Sequence, residues 1–293
     1  MINNSKLLNA FFNALLVFLI LACLIPFWLL IVASLTSEQY LVQNGYSMFP
    51  KALSFGAYKY LWEARESIFR AYGYSILYAA LGVTGNLIMT ILFAYPLSRQ
   101  NLPGRGIFSL MLFFTMLFNG GLVPTYLVYT NVLNVKNTIW GMIIPYLLFN
   151  PFLVIMMRTY FTSSIPNEVI EAAKIDGASE PQCLTKIVLP MSKPILATVS
   201  LMTLIAYWNN WTNGIYFLNT RTDLYGIQNY LNDAMNKAAF LQSHMNSMMS
   251  AKDIPSIGVR MAVAVVAVIP LLIAYPFFQK YFVKGITLGS VKG

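Results

Sequence analysis

Apolar residues in this chain come in long, nearly unbroken blocks rather than at the alternating spacing of a strand or the one-sided spacing of a surface helix. Six blocks reach the roughly 20 residues that a membrane-crossing helix needs: Ala10–Leu35, Tyr72–Leu97, Ile107–Tyr129, Thr138–Tyr160, Ile195–Leu218 and Val259–Val283. The pattern predicts an all-α membrane protein, one transmembrane domain over 1–293 with six transmembrane helices. Polar connections remain at about 36–70, 161–194 and 219–256, with a short tail at about 284–293. An even number of spans puts both termini on one side. With the N-terminus inside, the 19 Lys and Arg divide ten to nine in favour of the cytoplasmic side, and both long loops fall outside. Positive charge counts most in short loops, so the N-inside orientation is the expectation.

None of the six blocks carries an Asp or Glu. Proton pumps and ion-coupled carriers place carboxylates inside the membrane, so that class is disfavoured. Pro26, Gly82, Gly85, Pro96, Pro124, Gly141, Pro145, Pro151, Pro270 and Pro276 interrupt the blocks. Such residues suit close helix packing, and breaks in the backbone are tolerated where neighbouring helices or a water-filled cavity satisfy the freed groups.

Composition agrees. Of 293 residues, 58% are hydrophobic and 10% charged, where soluble domains carry about 25% charged residues. The net charge of +9 is scattered over loops with no basic run, as membrane flanks are, and no nucleic-acid partner is expected. Cys23 and Cys183 make no disulfide framework, and the "ILAC" ending at Cys23 continues into further apolar sequence as a retained helix does. There is no G-x-x-x-x-G-K-[ST] phosphate-binding loop, no G-x-S-x-G nucleophile and no His/Cys cluster of metal spacing. The chain is therefore not expected to be an enzyme, to hydrolyse ATP or to hold a metal.

The outlier is "EAAKIDGASEPQCLTKIVLPMSKP", residues 171–194. Pro166, Glu168 and Glu171 suit the start of a helix, and Gly177 offers a left-handed stop. Ser179 to Gln182 then fits a capping box with Pro181 in the first turn, and a second short helix is expected to end at Pro190. The result is a rigid two-helix elbow. Its physics fits two roles equally: an amphipathic loop on the membrane surface, or a low-profile element that slides into a partner's groove.

This stretch resembles the EAA loop of ABC importer permeases, with E-A-A, D-G-A and I-x-L-P landmarks at family spacing. Leu184 stands where the family often has an aromatic residue. "YSMFPKALSFGAYKYL", "LFAYPLSR", "GGLVPTYLVY", "MRTYFTSSIP" and the ending "YFVKGITLGSVKG" extend the resemblance over nearly the whole chain, to the maltose-type smaller permeases of the carbohydrate-uptake branch. "GGLVPTYL" is similar to the group that imports larger oligosaccharides, including alginate and pectin fragments.

The resemblance implies a six-helix permease fold in a bacterial cytoplasmic membrane with both termini cytoplasmic. It implies a homologous second permease, two ATP-binding subunits that hold ATP and Mg, an extracytoplasmic solute-binding protein and an oligosaccharide substrate. Glu171, Ala172, Ala173, Asp176, Gly177, Ala178, Leu189 and Pro190 would form the coupling helix docked on an ATPase subunit. Gly285, Gly289, Lys292 and Gly293 would form a tail contact with the ATPases. A disordered terminus is the other reading of the tail.

For the sugar, aromatic rings and amides are the expected partners. "AYWNNWTNGIYF" supplies Tyr207, Trp208, Asn209, Asn210, Trp211 and Asn213 at the end of the fifth block, and Asn86, Tyr126 and Tyr129 are further candidates. The same aromatics fit an interfacial belt facing lipid, and both readings stand. The competing class for the whole chain is a carrier or channel that works without nucleotide.

Overall fold

The computed structural model describes residues 6–245 and 256–289. Among them the chain is mostly helical, with a single isolated antiparallel bridge, Thr36 to Leu53. The helices in chain order are α1 (Lys6–Ser34), α2 (Glu38–Asn44), α3 (Gly56–Glu63), α4 (Arg65–Ser98), α5 (Arg105–Leu117), α6 (Leu122–Leu127), α7 (Trp140–Ile143), α8 (Pro151–Ser164), α9 (Asn167–Ile175), α10 (Glu180–Cys183), α11 (Leu189–Met191), α12 (Lys193–Trp208), α13 (Thr212–Phe217), α14 (Ile227–Met245) and α15 (Ser256–Gly289). The chain divides into two compact units.

The first unit holds Met1–Ile68 and Leu231–Ile269. Its α1 exposes Phe11, Phe18, Leu24 and Trp28, the outward apolar surface that lipid accepts and water does not. The loop after it folds back on itself: Ser37 N–H reaches Ala52 O at 2.8 Å, and the Trp28 indole donates to Met48 O at 2.8 Å. Glu38 accepts from the N–H groups of Ile257 and Gly258 at 2.8 and 2.9 Å. A carboxylate there satisfies two orphan donors and opposes the positive end of the α15 dipole.

The second unit holds Phe69–Tyr230 and Pro270–Gly293. Its core joins Ala94, Tyr95 and Leu97 of α4 to Leu153, Met157 and Phe161 of α8, and to Ile195 and Val199 of α12. Ile170, Cys183 and Val188 of the charged segment belong to the same core. Within α4, Gly82 is required by contact: a Cβ there would run into the Tyr207 ring of α12.

Three of the expected spans are single long helices, represented by α1, α4 and α15. The others are broken. The helix pair Arg105–Leu117 and Leu122–Val132 is bent by 114°, and the pair Glu180–Met191 and Lys193–Trp208 by 82°. At the first break Gly121 takes φ +86°, and its N–H bonds to the Asn119 side chain at 2.9 Å. Between α7 and α8 the chain unwinds over 144–150, where Pro145 removes a donor and Asn150 caps α8 by accepting from Phe152 N–H at 3.0 Å. Hydropathy alone draws Ile107–Tyr129 and Thr138–Tyr160 as continuous blocks, because breaks in the middle of a span leave mean polarity unchanged; the 82° bend falls at Ser192, just before the block Ile195–Leu218 begins.

Candidate functional site

The charged elbow folds as its caps dictate. α9 ends with Gly177 at φ +85°, where Gly177 N–H bonds to Lys174 O at 3.0 Å and Ala178 N–H to Ala173 O at 2.9 Å. This is the paired closure of a helix through a left-handed residue. Ser179 opens α10, its N–H donating to Gln182 Oε1 at 2.8 Å, with Pro181 in the first turn. One expectation needs correction: Pro190 does not stop the second helix. The run continues from α10 through a π turn, Leu184–Val188, into α11, and bends only at Ser192. In the π turn Leu189 N–H reaches back to Leu184 O, a wider loop than an α turn. We attribute the passage of the helix through Pro190 to that widening, which relaxes the clash of a proline ring with the preceding turn.

One face of the elbow is anchored and the other is open. Ile170, Cys183 and Val188 are buried, while Ala173, Ala178 and Leu184 pack against the same core. Glu171, Ala172, Asp176 and Gly177 are exposed, Leu189 is half-buried and Pro190 exposed. At the tip Ile175 is 87% exposed. Sequence reasoning passed over this residue, although a lone large apolar side chain just before Asp-Gly in a charged stretch was a readable signal.

The elbow is tied to the foot of α4. The Tyr95 hydroxyl donates to Glu180 Oε2 at 2.6 Å, Lys174 pairs with Glu180 Oε1, and the Arg99 guanidinium lies 5.0 Å from the Tyr95 ring centroid. Between them is a cleft of about 530 Å³ lined in part by Tyr95, Arg99, Glu171, Lys174, Glu180 and Leu184. Hydrogen bonds from Lys174 and then Tyr95 hold the Glu180 carboxyl below its ordinary range. A lowered pKa stabilises the folded form above the ordinary carboxylate value, and that contribution fades as pH falls through the lowered one. Glu180→Gln is therefore expected to lower the melting temperature at neutral pH by a few degrees and to flatten its fall toward about pH 4. A pH series of thermal melts checks this; parallel curves for the two proteins would refute it.

The expected sugar contacts separate into two groups. Asn86 is buried, its Nδ2 donating to Leu147 O at 2.9 Å and Leu148 O at 3.2 Å. Its Oδ1 accepts from Thr90 at 3.3 Å and Thr203 at 3.1 Å. Asn213 Nδ2 donates to Pro145 O at 2.9 Å, and the Tyr207 hydroxyl to Ile143 O at 2.8 Å. Asn86 and Asn213 thus hold the unwound 144–150 backbone, and Tyr207 holds the end of α7 that leads into it. Trp208 is buried with its ring 6.2 Å from that of Tyr72, and Asn210 accepts from Asn213 N–H at 3.1 Å. Asn209 and Trp211 are exposed. Tyr126 and Tyr129 meet at Phe217, with ring centroids 5.7 and 6.0 Å away.

Of the tail residues, Gly285 and Gly289 fall in the last part of α15, and Lys292 and Gly293 lie outside the described residues.

Apolar helices with pinned breaks, together with a core-anchored elbow that presents one open face, define a helical membrane transport subunit. Residues 86–288 match the family described as "Binding-protein-dependent transport system inner membrane component", and the chain belongs to that family. It is a transport component rather than an enzyme. It is 35% identical over 289 residues to the polygalacturonan/rhamnogalacturonan transport system permease protein YtcP of Bacillus subtilis, covering 99% of each chain. It is 35% identical over 270 residues to protein LplC of the same organism, covering 92% of this chain and 90% of the relative. A crystal structure of a bacterial ABC transporter involved in the import of the acidic polysaccharide alginate contains a chain of similar fold. That match has TM-score 0.79 and 29% identity, and covers 96% of this chain and 99% of the other.

Proposed function

We propose that this chain is one of two permease subunits of an ATP-driven oligosaccharide importer, with six spans and both termini in the cytoplasm. A homologous permease, two ATP-binding subunits and an extracytoplasmic binding protein complete the assembly. The substrate is a fragment of a polysaccharide, an acidic one on the precedent of the pectin and alginate systems to which the chain is similar.

The observation that carries this reading is the elbow, anchored on one side in the core of the second unit and exposing Glu171, Ala172, Ile175 and Asp176 on the other. A movement of the ATPase against the open face would reach α4 through Glu180 and Tyr95, and α12 through the bend at Ser192. The chain would then alternate between inward- and outward-open states whose balance ATP biases.

Ile175 supplies the test. Burying an isoleucine in a partner's cleft is worth about 1.5–3 kcal/mol, roughly tenfold or more in an equilibrium. Ile175→Asp is expected to reduce co-purification of the ATPase subunits, and ATP hydrolysis stimulated by the loaded binding protein, by about that factor. Unchanged stimulation would remove the elbow from the coupling path.

A further inference from the structure

Within the unwound stretch between α7 and α8, Tyr146 has φ +64°. Leu147 N–H closes on Pro145 O at 2.8 Å across it, so Tyr146 is the central residue of a γ-turn of the strained hand. Glycine would occupy such a position freely, yet a tyrosine stands there. The turn persists because other elements grip it: Asn213 holds the Pro145 carbonyl, Asn86 holds those of Leu147 and Leu148, and Tyr207 holds that of Ile143. Backbone strain that the surroundings over-determine clusters at ligand clamps. Unwound backbone at membrane depth also requires a protein-lined or water-filled setting.

The grip on the backbone determines where the ring goes. Pro145 is fully buried while Tyr146 is 42% exposed, so the turn thrusts the phenol outward. Its ring stands 6.2 Å from that of Tyr129, tilted by 54°. Tyr129 in turn meets Phe217 edge-on at 6.0 Å, and Tyr126 stacks on Phe217 at 5.7 Å. Two phenols thus rest on the Phe217 ring, and the exposed ring of Tyr146 stands beside the half-buried Tyr129. The C–H face of a pyranose packs on such rings, and its hydroxyls bond to phenolic oxygens.

We propose that Tyr146, with Tyr129 beside it, is a pyranose-stacking subsite on the oligosaccharide path, and that the strained turn exists to present this ring. The proposal rests on the importer reading. It assigns the buried residues Asn86, Tyr207 and Asn213 to positioning the turn, and the ring of Tyr146 to touching sugar.

The test uses the complete importer with its binding protein in proteoliposomes. Labelled trigalacturonate, an alginate trisaccharide and maltotriose serve as probes, and the one that the wild-type complex imports is carried forward. Glycine and asparagine suit a positive φ better than tyrosine does, so Tyr146→Gly and Tyr146→Asn relax the backbone while removing the ring. Both are expected to lower the initial uptake rate by about tenfold, and Tyr146→Phe by only about threefold. Melting temperatures of the Gly and Asn variants should match or exceed the wild type.

A purely structural role predicts the opposite order, with Gly and Asn importing as well as tyrosine; that result would overturn the proposal. If the Gly variant does not assemble, Tyr146→Trp decides. A change in tryptophan emission on delivering the probe, beyond that of the wild-type complex, supports contact, and the absence of a change overturns it. A wild-type complex that imports none of the three probes would count against the importer reading itself.

Discussion

Asn86→Leu is expected to lower the melting temperature of the detergent-solubilised chain by several degrees and to cut its folded yield several-fold. The two side chains share heavy-atom number and branching, but leucine is bulkier, so overpacking of the buried site adds to the loss of polar contacts. Asn86 is 1% exposed and serves the carbonyls of Leu147 and Leu148. Leucine would leave both without their donor at about 1–3 kcal/mol each, or about 2–6 kcal/mol together. Thr90 and Thr203 lose an acceptor too, but a helical threonine can turn its hydroxyl to a carbonyl four residues back. The loss compares with a total stability of about 5–15 kcal/mol. Exchange of the 144–150 amides should accelerate in the same variant. A melting curve within about 2 °C of wild type would show that the broken span is held by something else.

Gly177→Pro is expected to abolish the acceleration of ATP hydrolysis by loaded binding protein while leaving the membrane helices folded. Gly177 sits at φ +85° and donates to Lys174 O. Proline fixes φ near −65° and has no N–H, so both requirements fail and the exposed end of α9 loses its fixed relation to α10. No heavy atom lies within 4 Å of where a Cβ would sit, so Gly177→Ala meets only the backbone cost of about 1–2 kcal/mol. Asparagine tolerates that region better still. The expected order of coupling is therefore glycine, asparagine, alanine and proline, from strongest to weakest. An order that followed side-chain size would point to a steric contact at Gly177 instead.

The elbow was legible in the sequence because its instructions are local. Gly177, Ser179, Pro181 and Gln182 each act within a few residues, and each takes the expected place. Pro190 was misread because its effect depends on the π turn before it, and no spacing rule announces a π turn. The broken spans were half-visible: Pro145 and Pro151 marked the interval, but hydropathy averages across it. Asn86, Tyr207 and Asn213 stood out in the sequence as candidate sugar contacts. That they bond to carbonyls roughly 60 to 70 positions away in the chain is a tertiary fact. Tyr146 carried no sequence signal at all, since its φ follows from contacts made by three other segments.

The central claim is that sugar passage through this chain is driven from outside it, through the elbow. The most direct measurement is oligosaccharide uptake by proteoliposomes containing this chain with its partner permease, ATPase subunits and binding protein, with and without ATP inside. The account predicts accumulation only with ATP and only in the full assembly, and none from vesicles containing this chain alone. Downhill uptake by the chain alone, equal with and without nucleotide, would contradict it.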